Sequence, residues 1–235
     1  MENFMDFSSD RVNVFFMLID SSGSMEDDAS NVRKGLEMYK RSFQNFPESN
    51  SIAVSISKFD DSFYPADFRP ITDLDISYHA GGATALHYSI VQGAKRLKEY
   101  MQEITAQKGI VPRGTFIIFS DGVPCNDPFT MKDGKRAIEE LNLAGVTTVF
   151  VAFGEAITSN FGKELGCMST IDVTNREKLV NFLGVELSKS CKEQSKSMKS
   201  LGANFFSQAA GNNKSEGYSQ TTAQVLEDTA WIDDI

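Results

Sequence analysis

The sequence predicts an α/β domain: a mostly parallel central sheet, helices on both faces, and one antiparallel edge strand. Three observations carry that expectation. Near-continuous apolar runs of strand length occur at 12–19, 115–119 and 146–153, as in strands buried on both faces of a parallel sheet. Amphipathic helical repeats lie between the runs, so strands and helices alternate. Parallel strands joined through helices then need right-handed crossovers.

Residues 12–19 (VNVFFMLI) form the first strand. After the polar loop 20–28, Val32, Leu36, Tyr39, Phe43 and Phe46 recur at steps of four and three. That spacing makes one apolar helix face, stopped by Pro47. Residues 51–59 alternate and read as a strand. Asp60, Asp61 and Ser62 turn the chain into 63–71, where Pro65 and Pro70 place an antiparallel strand at the sheet edge. Leu86, Ile90, Ala94, Leu97, Met101 and Ile104 mark a second helix, entered through the loop 79–84. The strand 115–119 runs into Ser120-Asp121-Gly122. A helix over 129–144 has Gly145 beyond it as a stop. The strand 146–153, a short helix 159–165, a short strand 168–173 and a last helix 175–191 complete one domain, 1–191.

Composition changes near residue 192. Residues 192–224 are rich in Ser, Lys, Gln, Gly and Asn, the composition of a flexible linker. Residues 225–235 form an acidic, aromatic tail, with Glu227, Asp228, Asp233 and Asp234 among Val225, Leu226, Trp231, Ile232 and Ile235. Trp231 is the single tryptophan of the chain. Aromatic and acidic groups together read as a docking peptide, either for a separate partner or offering a carboxylate to a site on its own or a neighbouring copy. A merely solubilising tail is the plain alternative.

Charge and cysteines exclude several classes. With 23 basic against 32 acidic residues the net charge is −9, which disfavours nucleic acid and anionic membranes as partners. No apolar run reaches the ~18–20 residues of a spanning helix, and the acidic opening MENFMDF lacks the cationic flank of a signal peptide. Cys125, Cys167 and Cys191 are odd in number and widely spaced, and only two histidines accompany them. They fit no zinc pattern and read as three buried thiols in a reducing cytoplasm.

The most specific pattern is Asp20-Ser21-Ser22-Gly23-Ser24-Met25, directly after the first strand. Asp20, Ser22 and Ser24 offer oxygen ligands at alternate positions of a tight turn. Thr84 lies in the Gly81-Gly82-Ala83-Thr84 loop that opens the second helix, and Asp121 ends the strand 115–120. Sites in open parallel sheets form beyond the carboxyl ends of strands, so these three loops should converge. An all-oxygen set suits a hard cation, Mg²⁺ or Mn²⁺. Three of the five donors are neutral hydroxyls, so the ion stays electrophilic and a partner's carboxylate is its natural further ligand. Glu26, Asp27 and Asp28 read instead as acids at a helix start, Asp60 and Asp61 as turn residues, and His87 as packed or solvated. His79 stands near the rim, within reach of a partner.

DSSGSM after a strand, GGATAL before a helix and FSDG after another strand resemble von Willebrand factor A domains with a metal-ion-dependent adhesion site. The resemblance spans about residues 10–191. It implies a Rossmann-like three-layer sandwich with one antiparallel edge strand, and metal ligation by Asp20, Ser22, Ser24, Thr84 and Asp121, some through water. Among the family's branches the chain looks most like bacterial cytoplasmic members associated with tellurium resistance or stress operons. The expected function is a cytoplasmic adaptor that binds proteins and is not an enzyme. A secreted or surface adhesin is the main alternative. A Mg²⁺-dependent phosphohydrolase is disfavoured, because Ser22 stands where its second Asp should be.

Overall fold

Along β1 (Asn13–Asp20) side chains alternate between two apolar layers, which is why the run reads as continuously hydrophobic. Phe15, Met17 and Ile19 enter one core and Val14, Phe16 and Leu18 the other. The structure is a computed structural model and describes residues 11–157, 160–173 and 176–196. The strands are β1, β2 (Ile52–Phe59), β3 (Phe63–Tyr64), β4 (Arg69–Pro70), β5 (Arg113–Ser120), β6 (Thr147–Phe153) and β7 (Ser169–Val173). The sheet order is β3-β2-β1-β5-β6-β7, with β4 also on β2. All pairings are parallel except those of β3 and β4 with β2.

Helices α1 (Ala29–Ser42), α5 (Arg176–Asn181) and α6 (Leu187–Lys196) cover the first core, and α2 (Leu86–Lys108), α3 (Met131–Leu143) and the short α4 (Phe161–Glu164) cover the second. The three-layer α/β architecture is therefore as the sequence predicts. After β1 the chain goes to β2 on one side, and its later strands build out on the other through β5. That reversal puts the topological switch point of the sheet at the carboxyl ends of β1 and β5.

Several boundaries differ from expectation for physical reasons. The edge segment 63–71 is two short strands rather than one. Between them Pro65 has no N–H to give, and Ala66 bonds to serines instead of the ladder. Its N–H donates to Ser57 Oγ at 3.0 Å and its carbonyl accepts from Ser55 Oγ at 2.9 Å. Helix α1 ends at Ser42, short of Phe46, because Phe43, Gln44 and Phe46 form i→i−3 turns to Lys40, Arg41 and Phe43. Such turns nearly preserve the helical period, so the apolar pattern runs on past the helix. Glu26, Asp27 and Asp28 belong to a 3-10 turn, Gly23–Asp28, that precedes α1.

The last helix is interrupted by a π segment, Phe182–Glu186, and α6 continues to Lys196, five residues past the predicted end. Residues 197–224 of the expected linker and the tail 225–235 lie outside the described residues. All three cysteines are free, yet Cys191 alone is fully buried while Cys167 is half-buried and Cys125 exposed. Cys125 is held by its backbone, which pairs with Thr84. No helix among the described residues is long and apolar enough to cross a membrane.

Helix α1 and the π segment touch through glycine. A Cβ on Gly35 would lie 2.8 Å from Leu183 Cβ, an atom fixed to its backbone. Helix propensity alone favours Ala over Gly by about 0.5–1 kcal/mol. The overlap opposes it, and overpacking typically costs about 1–3 kcal/mol. Gly35→Ala should therefore lower stability in urea unfolding, and an increase would mean that the two elements separate freely.

Candidate metal centre

The site starts from Asp20, the last residue of β1, whose side chain is completely buried. Its two oxygens are held separately. Oδ1 accepts the Ser22 N–H at 2.9 Å, and Oδ2 accepts the Ser120 hydroxyl at 2.6 Å. One donor is local and one is tertiary: Ser22 lies two residues on in the turn, and Ser120 ends the neighbouring parallel strand. The Tyr78 hydroxyl donates to the Asp20 carbonyl at 2.5 Å. Burial and the nearby carboxylates push that phenol far above its usual range.

From Asp20 the turn carries Ser22 and Ser24 towards Asp121. Ser22 Oγ lies 3.1 Å from Ser24 Oγ, and Ser24 Oγ donates to Asp121 Oδ1 at 2.9 Å. Four of the five predicted ligands are thus joined by direct hydrogen bonds or by the turn they share. Thr84 is brought to the same rim through backbone. Its N–H and carbonyl pair with Cys125 at 3.2 and 3.0 Å, four residues beyond Asp121. Thr84 is buried.

The loops are stitched together by main chain. Ser21 N–H donates to Phe59, Gly23 N–H to Gly82, Gly81 N–H to Ser21 and Ala85 N–H to Asp60. Gly82 has φ +77, and a Cβ there would meet Asp60 Cβ at 3.1 Å, so both conformation and space require glycine. Asp60 itself accepts the Ser62 N–H at 2.9 Å, as a turn residue should.

Asp127 was not singled out by sequence reasoning. Its carboxylate accepts the N–H groups of His87 (2.5 Å) and Tyr88 (3.2 Å), the first turn of α2, and of Phe129 (3.0 Å). It also meets His87 Nδ1 at 2.9 Å. An acid from a distant loop therefore caps α2 and fixes Thr84's helix to Asp121's loop. The Asn-Asp-Pro run at 126–128 was the available signal, since an Asp before Pro is a capping and turn pattern. His87 is buried in this contact, which is the packed reading. His79 is exposed beside the loop.

Electrostatically the centre asks for a cation. Burial pushes the Asp20 carboxyl up to about 6 from its ordinary 3.8; hydrogen bonds from Ser120 and Ser22 oppose the rise, and Asp121 adds to it. The donor set is entirely oxygen, two carboxylates and three hydroxyls, which fits a hard divalent ion. Among the described residues no group of three or more His, Cys, Asp and Glu side chains is placed to hold a metal ion. Any ion held here would depend on the hydroxyls.

No family model and no curated protein matches the sequence. Solved structures share the fold. The pilus adhesin SpaC from Lactobacillus rhamnosus GG is 14% identical, with a TM-score of 0.62 over 78% of this chain and 31% of its own. The PilB minor pilin from Streptococcus sanguinis is 13% identical, with a TM-score of 0.55 over 78% of this chain and 62% of its own. The manganese-loaded Plasmodium vivax TRAP protein is 14% identical, with a TM-score of 0.52 over 73% and 72%. This chain spans less than a third of the adhesin's length. At these identities the likeness is one of fold alone.

The pH dependence of stability has a definite sign. A carboxyl raised by folding stabilises the fold below its unfolded pKa of 3.8, and that contribution is lost as pH rises through about 6. The gap corresponds to on the order of 3 kcal/mol. In chelator, Asp20→Asn should be more stable than the parent at pH 8 by roughly 1–3 kcal/mol, with the difference vanishing below pH 4. Urea titrations at both pH values read this directly. Equal stability at pH 8 would mean that ionised Asp20 carries no burial cost.

Proposed function

We propose that this chain is a metal-dependent protein-binding module. Asp20, Ser22, Ser24, Thr84 and Asp121 hold Mg²⁺ or Mn²⁺, and the ion captures an Asp or Glu side chain of a partner protein. The observation that supports this most is the continuous hydrogen-bonded path from buried Asp20, through the Ser22 N–H and the Ser22 and Ser24 hydroxyls, to Asp121. Bound there, the ion supplies an electrophilic centre at the switch point.

The chain's own residues do the rest. Asp20 anchors, because Ser120 and the Ser22 N–H fix both of its oxygens. Ser22 and Ser24 keep the set low in charge, and Thr84 adds a neutral donor from the α2 loop. Asp121 closes the ring on the β5 side. With a net charge of −9 the chain repels acidic partners at a distance, so capture depends on local positive charge at the site.

We read the chain as a binder rather than an enzyme. Support comes from Ser22 at the position where a phosphohydrolase needs an acid, and from His87 being occupied with Asp127. A cytoplasmic adaptor of the tellurium-resistance or stress type rests on the sequence resemblance. The likeness to a pilus adhesin and a minor pilin favours a second reading, a surface adhesin. Fractionation of native cells separates the two.

Calorimetry with Mg²⁺ and Mn²⁺ tests the centre. Asp20→Ala should abolish binding while circular dichroism stays unchanged. Thr84→Ala should weaken partner capture with little loss of metal, since water replaces one neutral donor. A partner recovered from lysate with Mg²⁺ should be lost in EDTA. Retention of the partner at equal affinity in EDTA would place its contacts elsewhere.

A further inference from the structure

Helix α1 runs back from the metal end of the sheet, so its last turn lies at the opposite pole, about 20 Å away at 1.5 Å per residue. There α1, the π segment and α6 enclose a groove of about 560 Å³. Its lining includes Arg41, Lys189, Lys192 and Lys196, four cations in a chain whose net charge is −9. Glu193 is the single acid among its lining residues. Two apolar side chains, Met38 and Val185, are exposed beside these charges, at 37% and 42%. The surface is therefore both basic and greasy.

The local chemistry shows how the charges are held. The Lys192 ammonium stands 4.9 Å from the Phe43 ring centre, and Lys196 lies 5.3 Å from that of Phe46. Partial burial and the neighbouring Lys196 both push Lys192 below its ordinary pKa. Lys189, Lys192 and Lys196 have no ion pair among the described residues. Crowded ammonium groups of this kind gain from an anion laid across them. The π segment shapes the floor: a Cβ on Gly184 would stand 2.6 Å from Met38 Cβ, so α1 and the segment meet at close range. Val185, next in sequence, faces outward.

We propose that this groove is the docking site for the chain's own acidic, aromatic segment 225–235. The match is in both charge and apolar character. Glu227, Asp228, Asp233 and Asp234 complement the four cations, and Trp231 with Ile232 complements Met38 and Val185. Reach also favours the same chain. The groove's own wall leads into the segment, because α6 ends at Lys196 and twenty-eight residues separate it from Val225. A chain of that length and composition spans about 30 Å, giving an effective concentration on the order of millimolar at the groove. The inference is independent of the metal centre, which lies at the other pole.

Trp231 is the single tryptophan, so the full chain carries its own reporter. Emission and iodide quenching should be compared between the parent and Lys189→Glu/Lys196→Glu, both exposed positions whose reversal spares the core. The parent should show blue-shifted emission and shielding. Charge reversal, or salt raised to about 1 M, should red-shift it and increase quenching about threefold or more. Adding Asp233→Lys/Asp234→Lys to the reversed groove should restore shielding. Acrylamide repeats the comparison without a charged quencher. Equal emission and quenching in parent and reversed groove overturns the proposal. So does shielding that grows with protein concentration, which assigns the segment to a second copy. A response to Mg²⁺ against EDTA but not to charge reversal assigns it to the metal centre and equally overturns the groove.

Discussion

Asp20 places a carboxylate in complete burial where the central strand leaves the sheet, and much of the surrounding architecture answers that one constraint. An isolated buried carboxylate is costly unless hydrogen-bonded or paired. The fold supplies a serine from the adjacent strand and a backbone N–H from the following turn, one for each oxygen. These bonds orient the group without neutralising it. The carboxyl consequently remains raised to about 6. A site with an oriented, under-compensated anion and three nearby hydroxyls is suited to receive a divalent cation.

That arrangement depends on strand order. Because β1 has β2 on one side and β5 on the other, the loops after these strands have room to open between them. The α2 loop then folds over the gap, held by main-chain bonds to Ser21, Gly23, Asp60 and Cys125. Asp127 completes the frame by capping α2 from the β5 side. The proposed ligands can thus be few and mostly neutral, since rigidity comes from backbone pairing and not from the donors. The opposite pole has a different character: packing through Gly35 and Gly184 brings two helical elements together and gathers cations along their seam.

Much of this was legible in the sequence where local pattern and tertiary role coincide. The buried runs of β1, β5 and β6 declare their sheet, and Asp20, Ser22, Ser24, Thr84 and Asp121 fall on strand or helix ends that the topology brings together. Legibility fails where a period outlives its element. Phe43 and Phe46 keep the helical rhythm through tight turns after α1 has ended. The π segment is likewise hidden, because one inserted residue barely disturbs an apolar repeat. Contacts across long separations were also unreadable. Tyr78 on the Asp20 carbonyl, Asp127 on α2 and Arg41 beside Lys192 become neighbours only once the layers are assembled.

The central claim is that the loops after β1 and β5 and before α2 hold one divalent cation. A crystal of the full chain grown with Mn²⁺ and recorded at the manganese absorption edge tests it most directly. The account predicts one anomalous peak per chain, enclosed by Asp20, Ser22, Ser24, Thr84 and Asp121, and its disappearance in Asp121→Ala. A peak elsewhere, or none at saturating Mn²⁺ and pH above 7, would contradict it.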